Sequence, residues 1–252
     1  MNASDAKQLA DQALDDLANA LARGDSARLT AFLDTMARFH RYSATNLMLI
    51  LTQRPGATRV AGFHAWRALG RFVKKGEKGI VIFAPMRLKK RSAKDAASDA
   101  TCEDDFILRF RAVHVFDVAQ TDGEPLPDLA RPQGDDIAAS ALDRLKALVA
   151  EKGIALEYAE TLNGAFGLSC GGTIKLALDL ASKPAEQFAT LAHELAHELL
   201  HRDERRKELT KTVVETEAEA VAYAVCRAVG VEARDASTDY IRLYRGDAAT
   251  LA

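Results

Sequence analysis

At 252 residues and 27.3 kDa the chain is long enough for one large domain or two ordinary ones, and 48% hydrophobic residues is normal for a globular protein. No apolar run approaches the roughly 18 residues that a membrane span needs, and three cysteines without a CxxC pair argue against a disulfide framework and a cysteine zinc site. We therefore expect no membrane partner, and we expect any metal to be held by His and carboxylate groups.

The net charge of −2 is unevenly distributed along the chain. Between residues 38 and 94, Glu77 is the single acidic residue among many Lys and Arg, whereas the second half is mildly acidic. This asymmetry predicts two units with different partners. The first residues predict an acidic amphipathic helix rather than a signal peptide, so we expect a cytoplasmic protein.

The first part of the chain predicts a small α+β unit. Leucines and alanines at helical spacing indicate helices over residues 5 to 22 and 27 to 53. A short aromatic helix, the turn KKGEKG and the strand IVIFAP follow, and FILRFRAVHVFDV alternates like a second strand. Residues 88 to 105 are charged and small, without apolar periodicity, so we expect them to form a mobile loop.

The expected domain boundary lies in GEPLPDLARPQGDD, residues 123 to 136, which holds three of the six prolines. We place the first domain at residues 1 to 128 and the second at 129 to 252. The sequence of the second domain predicts an amphipathic helix, then short strands, then two long helices at about 184 to 203 and 208 to 230. The predicted fold class is therefore α+β in both domains.

The stretch TLAHELAHELLH, residues 190 to 201, has the pattern of a metallopeptidase helix. His193 and His197 are four residues apart, so both imidazoles project from one helix face and can bind a single ion. Glu194 occupies the HExxH position that places a general base beside the ion. The alternative is a helix that is merely rich in His and Glu, since so short a pattern also arises by chance.

A catalytic zinc site needs a third protein ligand. His201 lies roughly 12 Å along the helix axis from His193, at about 1.5 Å per residue, so we interpret it as a group behind the ligands or as a solvated position. The segment VVETEAEAVAYAV offers Glu215 and Glu219 on one face, with Glu217 about 200° round the helix from Glu215. One carboxylate can bind the ion while its neighbour one turn on orients a ligand histidine. A solvated face is the alternative interpretation of this run.

The HExxH helix, the Glu-Thr-Glu-Ala motif and the small-residue helix that contains it resemble the ImmA/IrrE metallopeptidases, which are zincins of the glutamate-ligand type. The resemblance implies a zincin-like second domain in which Glu215 is the third ligand and Glu219 orients a ligand histidine, although many relatives have Asn at that last position. It implies Zn2+ as the cofactor, with another divalent ion such as Mn2+ as the alternative. It also implies hydrolysis of a protein or peptide substrate, with Glu194 taking a proton from water.

Two further parts of this mechanism are expected from the chain. TIKLAL, the last strand before the metal helix, would be the edge strand that pairs with an extended peptide. Tyr223 and Tyr240 are candidates for a transition-state donor, and packing is the alternative role for each.

The basic segment also carries aromatic residues, namely Tyr42, Phe63, Trp66 and Phe72. Proteins that bind single strands combine cations that contact phosphates with aromatic faces on which bases stack. The alternative is that the aromatic residues fill a small core while the cations are solvated. Composition leaves these two interpretations open.

Three elements within residues 5 to 128 are specific: Tyr-Ser-x-x-Asn, Gly-Phe-x-x-Trp and Gly-x-x-Val-x-Lys-Gly-Glu-x-Gly. They resemble the N-terminal domain of ArdC-type antirestriction proteins, a family typical of plasmids and other mobile elements. The resemblance implies single-stranded DNA binding. The residues that we assign to DNA are Arg38, Arg41, Tyr42, Asn46, Trp66, Arg67, Arg71, Lys74, Lys75 and Lys78.

Together the two resemblances predict a two-domain protein of antirestriction or DNA protection that binds single-stranded DNA and carries a zinc-type peptidase site. One alternative is a DNA-binding antirestriction protein whose metal site is structural or vestigial. Another is a regulatory metallopeptidase that cleaves a repressor. An intact Glu194 favours an enzyme, because a purely structural site has no use for a base. The sequence leaves the substrate, the ion and the oligomeric state open.

Overall fold

The computed structural model of the chain describes residues 2–23, 27–89, 106–126, 135–162 and 164–231. Most of the expected mobile loop, and also Tyr240, lies outside these residues. None of the helices within the described stretches is long and apolar enough to cross a membrane.

The described elements form a mixed α/β structure, as predicted. In chain order they are α1 (Ala3–Ala22), α2 (Ala27–Arg38), α3 (Ala44–Gln53), β1 (Val60–Gly62), α4 (Phe63–Ala68), β2 (Arg71–Val73), β3 (Ile80–Lys89), β4 (Phe106–Asp117), β5 (Thr121–Gly123), α5 (Asp135–Glu151), β6 (Ala155–Ala159), β7 (Gly167–Ser169), β8 (Thr173–Ala177), α6 (Pro184–Leu200), α7 (Asp203–Glu208) and α8 (Lys211–Val229). Residues 1–13 and 43–126 form one compact unit, and residues 14–42 and 127–252 form the other.

The first unit is built on a three-stranded antiparallel sheet in the order β1-β4-β3, together with a two-stranded ribbon of β2 and β5. Ala6 and Ala10 of α1 and Leu49 of α3 pack on Val81 of β3 in a buried cluster. The small side chains of α1 let this helix lie close to the sheet, so one apolar face of β3 is covered by two helices.

Two amide side chains of α3 cover the edge of β3 that faces away from β4. The Asn46 amide accepts from the backbone N–H of Phe83 at 2.8 Å and donates to its carbonyl at 2.9 Å. Gln53, two turns later on the same helix face, makes the same pair of bonds with Val81 at 3.0 and 2.9 Å. Backbone groups at a strand edge need such partners, because otherwise they are unsatisfied or recruit another chain.

Ser43 explains why the predicted helix over residues 27 to 53 is two helices. Its backbone is extended, and its hydroxyl accepts from the N–H of Asn46, which starts α3 as a new helix. The Tyr-Ser-x-x-Asn motif therefore specifies both the beginning of α3 and its attachment to β3.

A second group of polar contacts fixes the C-terminal end of β4. The buried Asp117 carboxylate accepts from two backbone N–H groups of the loop before β1, at 2.8 and 3.1 Å. Gln120 donates to the Glu77 carboxylate and to the Lys78 carbonyl, both at 2.8 Å. The single acid of the basic segment is therefore used to hold the KKGEKG turn in place.

The second unit packs α5, α6 and α8 with a three-stranded sheet in the order β6-β8-β7. β6 is parallel to β8 and β7 is antiparallel to it. Ile174 and Leu176 of β8 are fully buried in one cluster with Leu191 of α6. The expectation that TIKLAL is the edge strand was wrong, because β8 is the central strand. Among the described strands, β6 and β7 are the edges of this sheet. β7 packs along α6, and β6 meets α6 where the Tyr158 hydroxyl accepts from the Gln187 amide at 3.0 Å.

Residues 14–42 belong to the second unit, whereas the whole of residues 1 to 128 was expected in the first. The reason is that α2 packs on α8. There the Asp34 carboxylate accepts from the Tyr223 hydroxyl at 2.9 Å and from the Arg227 guanidinium at 3.0 Å. This contact engages the Tyr223 hydroxyl in packing, which is the alternative role given above for this residue.

We expect Asn46→Ala to lower the free energy of unfolding by about 2 kcal/mol, because the N–H and carbonyl of Phe83 lose their partner. Chemical denaturation of the full chain would measure this loss. Thr52→Ala, an exposed substitution on the same helix, should stay within about 0.5 kcal/mol of the wild type. Equal stabilities of the two variants would contradict the structural role of Asn46.

Candidate functional site

The helices α6 and α8 carry the candidate metal ligands. Pro184 occupies the first turn of α6, and α8 runs from its cap at Thr210 to Gly230 in the left-handed conformation with φ 80°. Ala192 of α6 and Ala222 of α8 lie in the same buried cluster. Small side chains let the two backbones approach, so the polar faces of the helices also meet.

His193, His197 and Glu215 bring three ligand atoms together at this contact. The Nε2 atoms of the two histidines are 3.0 Å apart. Oε2 of Glu215 lies 3.5 Å from Nε2 of His193 and 3.7 Å from Nε2 of His197. Two ligand atoms that bind one ion at roughly 2.0–2.1 Å with tetrahedral angles are about 3.3 Å apart. The triangle of donors therefore fits a single divalent ion.

Glu219 lies on the far side of His193 from these ligand atoms. Its Oε2 is 3.1 Å from Nδ1 of His193, which leaves Nε2 directed at His197 and Glu215. Burial lowers the pKa of His193, but the hydrogen bond with Glu219 and the charges of three nearby glutamates outweigh burial and raise that pKa. The surroundings of His193 thus favour a positive charge, which a bound cation would supply.

Glu194 is buried, and its side chain lies against β7. A Cβ atom on Gly167 would come within 2.7 Å of Cγ and Oε1 of Glu194 and of Cγ2 of Thr190. Glycine at this position is therefore what allows the edge strand to approach the candidate base. The sequence offers little sign of this role, because GAFGLSCGG predicts only turns.

Glu198, one turn beyond the candidate base, attaches the β7–β8 turn to α6. Its carboxylate accepts from the Ser169 hydroxyl at 2.6 Å and from the N–H groups of Gly171 and Gly172 at 2.9 and 2.7 Å. Burial tends to raise the pKa of Glu198, but these three donors and a nearby arginine lower it overall. The contact holds the edge strand beside the metal helix.

His201 and Glu217 extend the polar contact between the helices. The side chain of His201 is fully buried and lies against His197, so it is the group behind the ligands and not a solvated position. Glu217, on the face of α8 away from Glu215, lies against His201.

Two residues that we assigned to DNA have structural partners in the first unit. Trp66 is only 2% exposed, and its indole N–H donates to the Phe116 carbonyl at 2.8 Å. Asn46 is buried against the edge of β3. Because both side chains are enclosed by the fold that they stabilise, neither is available to bases, and the assignment of these two residues to DNA is corrected.

Arg71 and Lys74 are also engaged with the fold. Arg71 donates to the hydroxyl and the carbonyl of Thr121 at 2.8 and 2.9 Å. Lys74 donates to the Ala119 carbonyl at 3.2 Å and pairs with Asp122 at 3.5 Å. These contacts join β2 to β5 and neutralise part of the positive charge.

Other cations and aromatic side chains of the first unit are exposed. Arg67, Lys75 and Lys78, which the sequence assigned to DNA, lie on α4 and on the turn after β2. Phe63 and Phe72, two of the aromatic residues noted in the sequence, are exposed on α4 and β2. The structure adds exposed residues of β4 that were not considered: Arg109, Phe110 and Arg111. The alternation within FILRFRAV places the two arginines on one face of β4, a signal that could have identified them.

Arg38, Arg41 and Tyr42 lie in the second unit. Both arginines are exposed. Tyr42 is half-buried and makes an edge-to-face contact with Phe39 at 6.0 Å, and burial raises the pKa of its hydroxyl. The residues assigned to DNA are therefore divided between the two units.

Comparison with known proteins supports the first resemblance. Residues 7–116 match the family model described as the N-terminal domain of anti-restriction factor ArdC, which confirms that prediction for the first part of the chain. The metal-free crystal structure of the antirestriction ArdC protein from the R388 plasmid is 21% identical, with 82% of this chain and 77% of that chain covered and a TM-score of 0.48. The Mn(II)-bound structure of the same protein is 18% identical, with 82% and 80% covered and a TM-score of 0.45. No curated protein sequence matches significantly. The resemblance of the second part to ImmA/IrrE metallopeptidases stays a prediction.

We expect Glu198→Gln to destabilise the protein by about 2 to 3 kcal/mol at pH 7, because an amide cannot accept from all three donors. Since the pKa of Glu198 is lowered by folding, the carboxylate contributes its full stability above its ordinary value of 4.5 and loses it as the pH falls through the lowered pKa. Denaturation of both proteins at pH 7 and at successively lower pH would show the difference shrinking. Glu157→Gln, an exposed carboxylate paired with Lys175 in the same sheet, should change little at any pH.

Proposed function

We propose that this protein binds single-stranded DNA through its first unit and hydrolyses peptide bonds at a divalent metal centre in its second, in antirestriction or protection of incoming DNA. The observation that carries the peptidase part is the triangle of His193, His197 and Glu215, with the buried Glu194 next to the first ligand. Two imidazoles and one carboxylate suit Zn2+, and Mn2+ is the alternative ion. The arrangement supports a zincin of the ImmA/IrrE kind.

Each side chain of the centre has a separate task. A bound ion would polarise the scissile carbonyl and acidify a water molecule. Glu194 takes the proton of the attacking water and passes it to the leaving amine. Its position against Gly167 keeps this carboxylate beside β7, the strand along which we place the substrate. Glu219 holds the ring of His193 so that Nε2 faces the ion.

The edge strand β7 would bind the substrate backbone as an added strand. Its Gly167 and Ser169 contact α6, so an extended peptide pairing with β7 lies along the helix that carries Glu194. Phe166, directly before the strand, and Leu168, on its other face, are 58% and 47% exposed and offer apolar contacts to substrate side chains. β7 therefore takes the role that was expected for TIKLAL.

The first unit would bind DNA through the side chains that its fold leaves exposed. Arg67, Lys75 and Lys78 supply positive charge for phosphates. Phe72, which is 58% exposed on β2, and Phe110, 62% exposed on β4, offer faces on which bases stack. The KKGEKG turn, with Gly76 at φ 90°, adds backbone N–H groups to this basic region.

Elemental analysis of the purified full chain tests the metal centre. We expect near-stoichiometric metal in the wild type and a large loss in Glu215→Ala, because two histidines alone bind the ion weakly. Glu208→Gln, an exposed carboxylate on α7, is the matched control and should keep the metal. DNA binding measured on the same samples should not change. A wild type without metal, purified free of chelators, would overturn the peptidase part of the proposal.

Hydrolysis of an unstructured protein such as casein, with and without single-stranded oligonucleotide, tests the role of Glu194. Glu194→Gln should keep its metal and lose about 100-fold to 10,000-fold in rate, as expected for a lost general base. Metal-loaded wild type that cleaves nothing under either condition would contradict the hydrolysis of unstructured polypeptides that we propose. Full activity of the variant would reject Glu194 as the base.

Titration of a fluorescent single-stranded oligonucleotide at several salt concentrations tests the DNA part. Replacing Arg67, Lys75 and Lys78 with alanine should weaken binding and reduce the salt slope by about 0.7 for each phosphate that is no longer neutralised. Phe72→Ala should weaken binding by about 1 to 3 kcal/mol without a change in salt slope. Lys7→Ala, an exposed lysine of α1 paired with Asp11, is the control. Equal affinities for all four proteins would place the DNA site elsewhere.

A further inference from the structure

A third histidine lies directly behind the candidate metal ligands. His201 caps the C-terminal end of α6, four residues after His197. Nδ1 of His201 is 3.0 Å from Nδ1 of His197. On the other side of the ring, Nε2 of His201 is 2.8 Å from Oε2 of Glu217. A continuous hydrogen-bonded chain therefore runs from Glu217 through His201 to a metal ligand.

The positions of the protons in this chain follow from the donors and acceptors present. A carboxylate only accepts, so Nε2 of His201 carries the proton that is donated to Glu217. In the neutral ring, Nδ1 of His201 then has a lone pair and accepts from Nδ1–H of His197. This leaves a lone pair on Nε2 of His197, which is the form that a metal ligand requires.

Arg205 supports the carboxylate end of the chain. Its Nη2 lies 2.9 and 3.0 Å from the two carboxylate oxygens of Glu217, and its Nη1 donates to the Leu200 carbonyl at 3.2 Å. An arginine in this geometry makes charge-assisted hydrogen bonds that hold the carboxylate in place beside His201. The short helix α7 thus brings Arg205 back towards the contact between α6 and α8.

We propose that Glu217 and His201 are positioning residues that set the tautomer and ring orientation of His197 for metal binding. The inference rests on the proposed function, since it takes the triangle of ligands as the ion site. His193 is set directly by the carboxylate of Glu219, whereas His197 is set through a second imidazole. The ring orientations of the two ligand histidines are therefore set by different residues. Each set of residues can be mutated without replacing a metal ligand.

Titration of the metal-free full chain with Zn2+ and with Mn2+, each in competition with a chromophoric chelator, is the experiment. His201→Phe keeps the ring volume but removes the acceptor, and we expect it to weaken metal binding about 10-fold to 100-fold. His201→Asn places an amide oxygen close to the former Nδ1, so it should recover most of the affinity. Glu208→Gln on α7 is the control for loss of an unrelated carboxylate.

The tautomers of His197 and His201 supply a second measurement. A purely structural role of Glu217 would not change which ring nitrogen carries the proton. Long-range 15N–1H NMR of the metal-free wild type should show His197 protonated at Nδ1 and His201 at Nε2. Glu217→Gln should redistribute the His201 proton between its two nitrogens, because an amide can donate as well as accept.

The failures of the two proposals are distinguishable. Wild type that binds neither ion overturns the proposed function together with this inference. Wild type that binds metal, with His201→Phe binding equally well, overturns the inference alone. So does a folded His201→Asn variant that binds as weakly as His201→Phe, or a wild-type spectrum in which His201 carries its proton at Nδ1.

Discussion

The contact between α6 and α8 pairs imidazoles of one helix with carboxylates of the other. The packing of these two helices and the proposed metal site both depend on this contact. His193 faces Glu219, His201 faces Glu217, and Glu215 lies against two Nε2 atoms. Charged groups can be enclosed only with partners, because desolvation of an unpaired carboxylate is too costly. The same pairing that lets these helices pack therefore also collects the donors of the proposed ion site.

The first unit uses its most recognisable residues to build its fold. Asn46 closes a strand edge, Trp66 is enclosed with its N–H bonded, and Glu77 holds a turn through Gln120. Motifs with these residues identify the domain because its topology needs them at those positions. The nucleic-acid contacts that we propose use side chains that the fold leaves exposed, including Lys75 and Lys78 of the third motif.

Helical spacing explains which parts of the site could be predicted. His193, Glu194 and His197 are placed by the 3.6-residue period, and Glu215 and Glu219 share a face for the same reason. The sequence could not reveal the partner of His201. Glu217 lies on the opposite face of α8 from Glu215. It meets His201 only because the path of the chain through α7 sets how α8 packs on α6.

The limits of the fold prediction have a similar physical origin. Alternating apolar residues predict that TIKLAL is a strand, but sheet order depends on pairings between distant residues. Ile174 and Leu176 are fully buried, which suits a central position. The amphipathic pattern of α2 predicts that one face of this helix is buried. It does not predict whether that face packs on the first or the second unit. Its attachment to α8 through Asp34 spans more than half of the chain.

The attachment of the β7–β8 turn to Glu198 has a consequence for how a polypeptide would be held. The helix that carries Glu194 also carries Glu198, the anchor of the β7–β8 turn, one turn away, so α6 and β7 are held together as one body. A binding surface that is already ordered loses little conformational entropy when a polypeptide binds to it. Most of the entropy loss therefore comes from the polypeptide itself. Segments that are already extended and unfolded would therefore be favoured over compact domains.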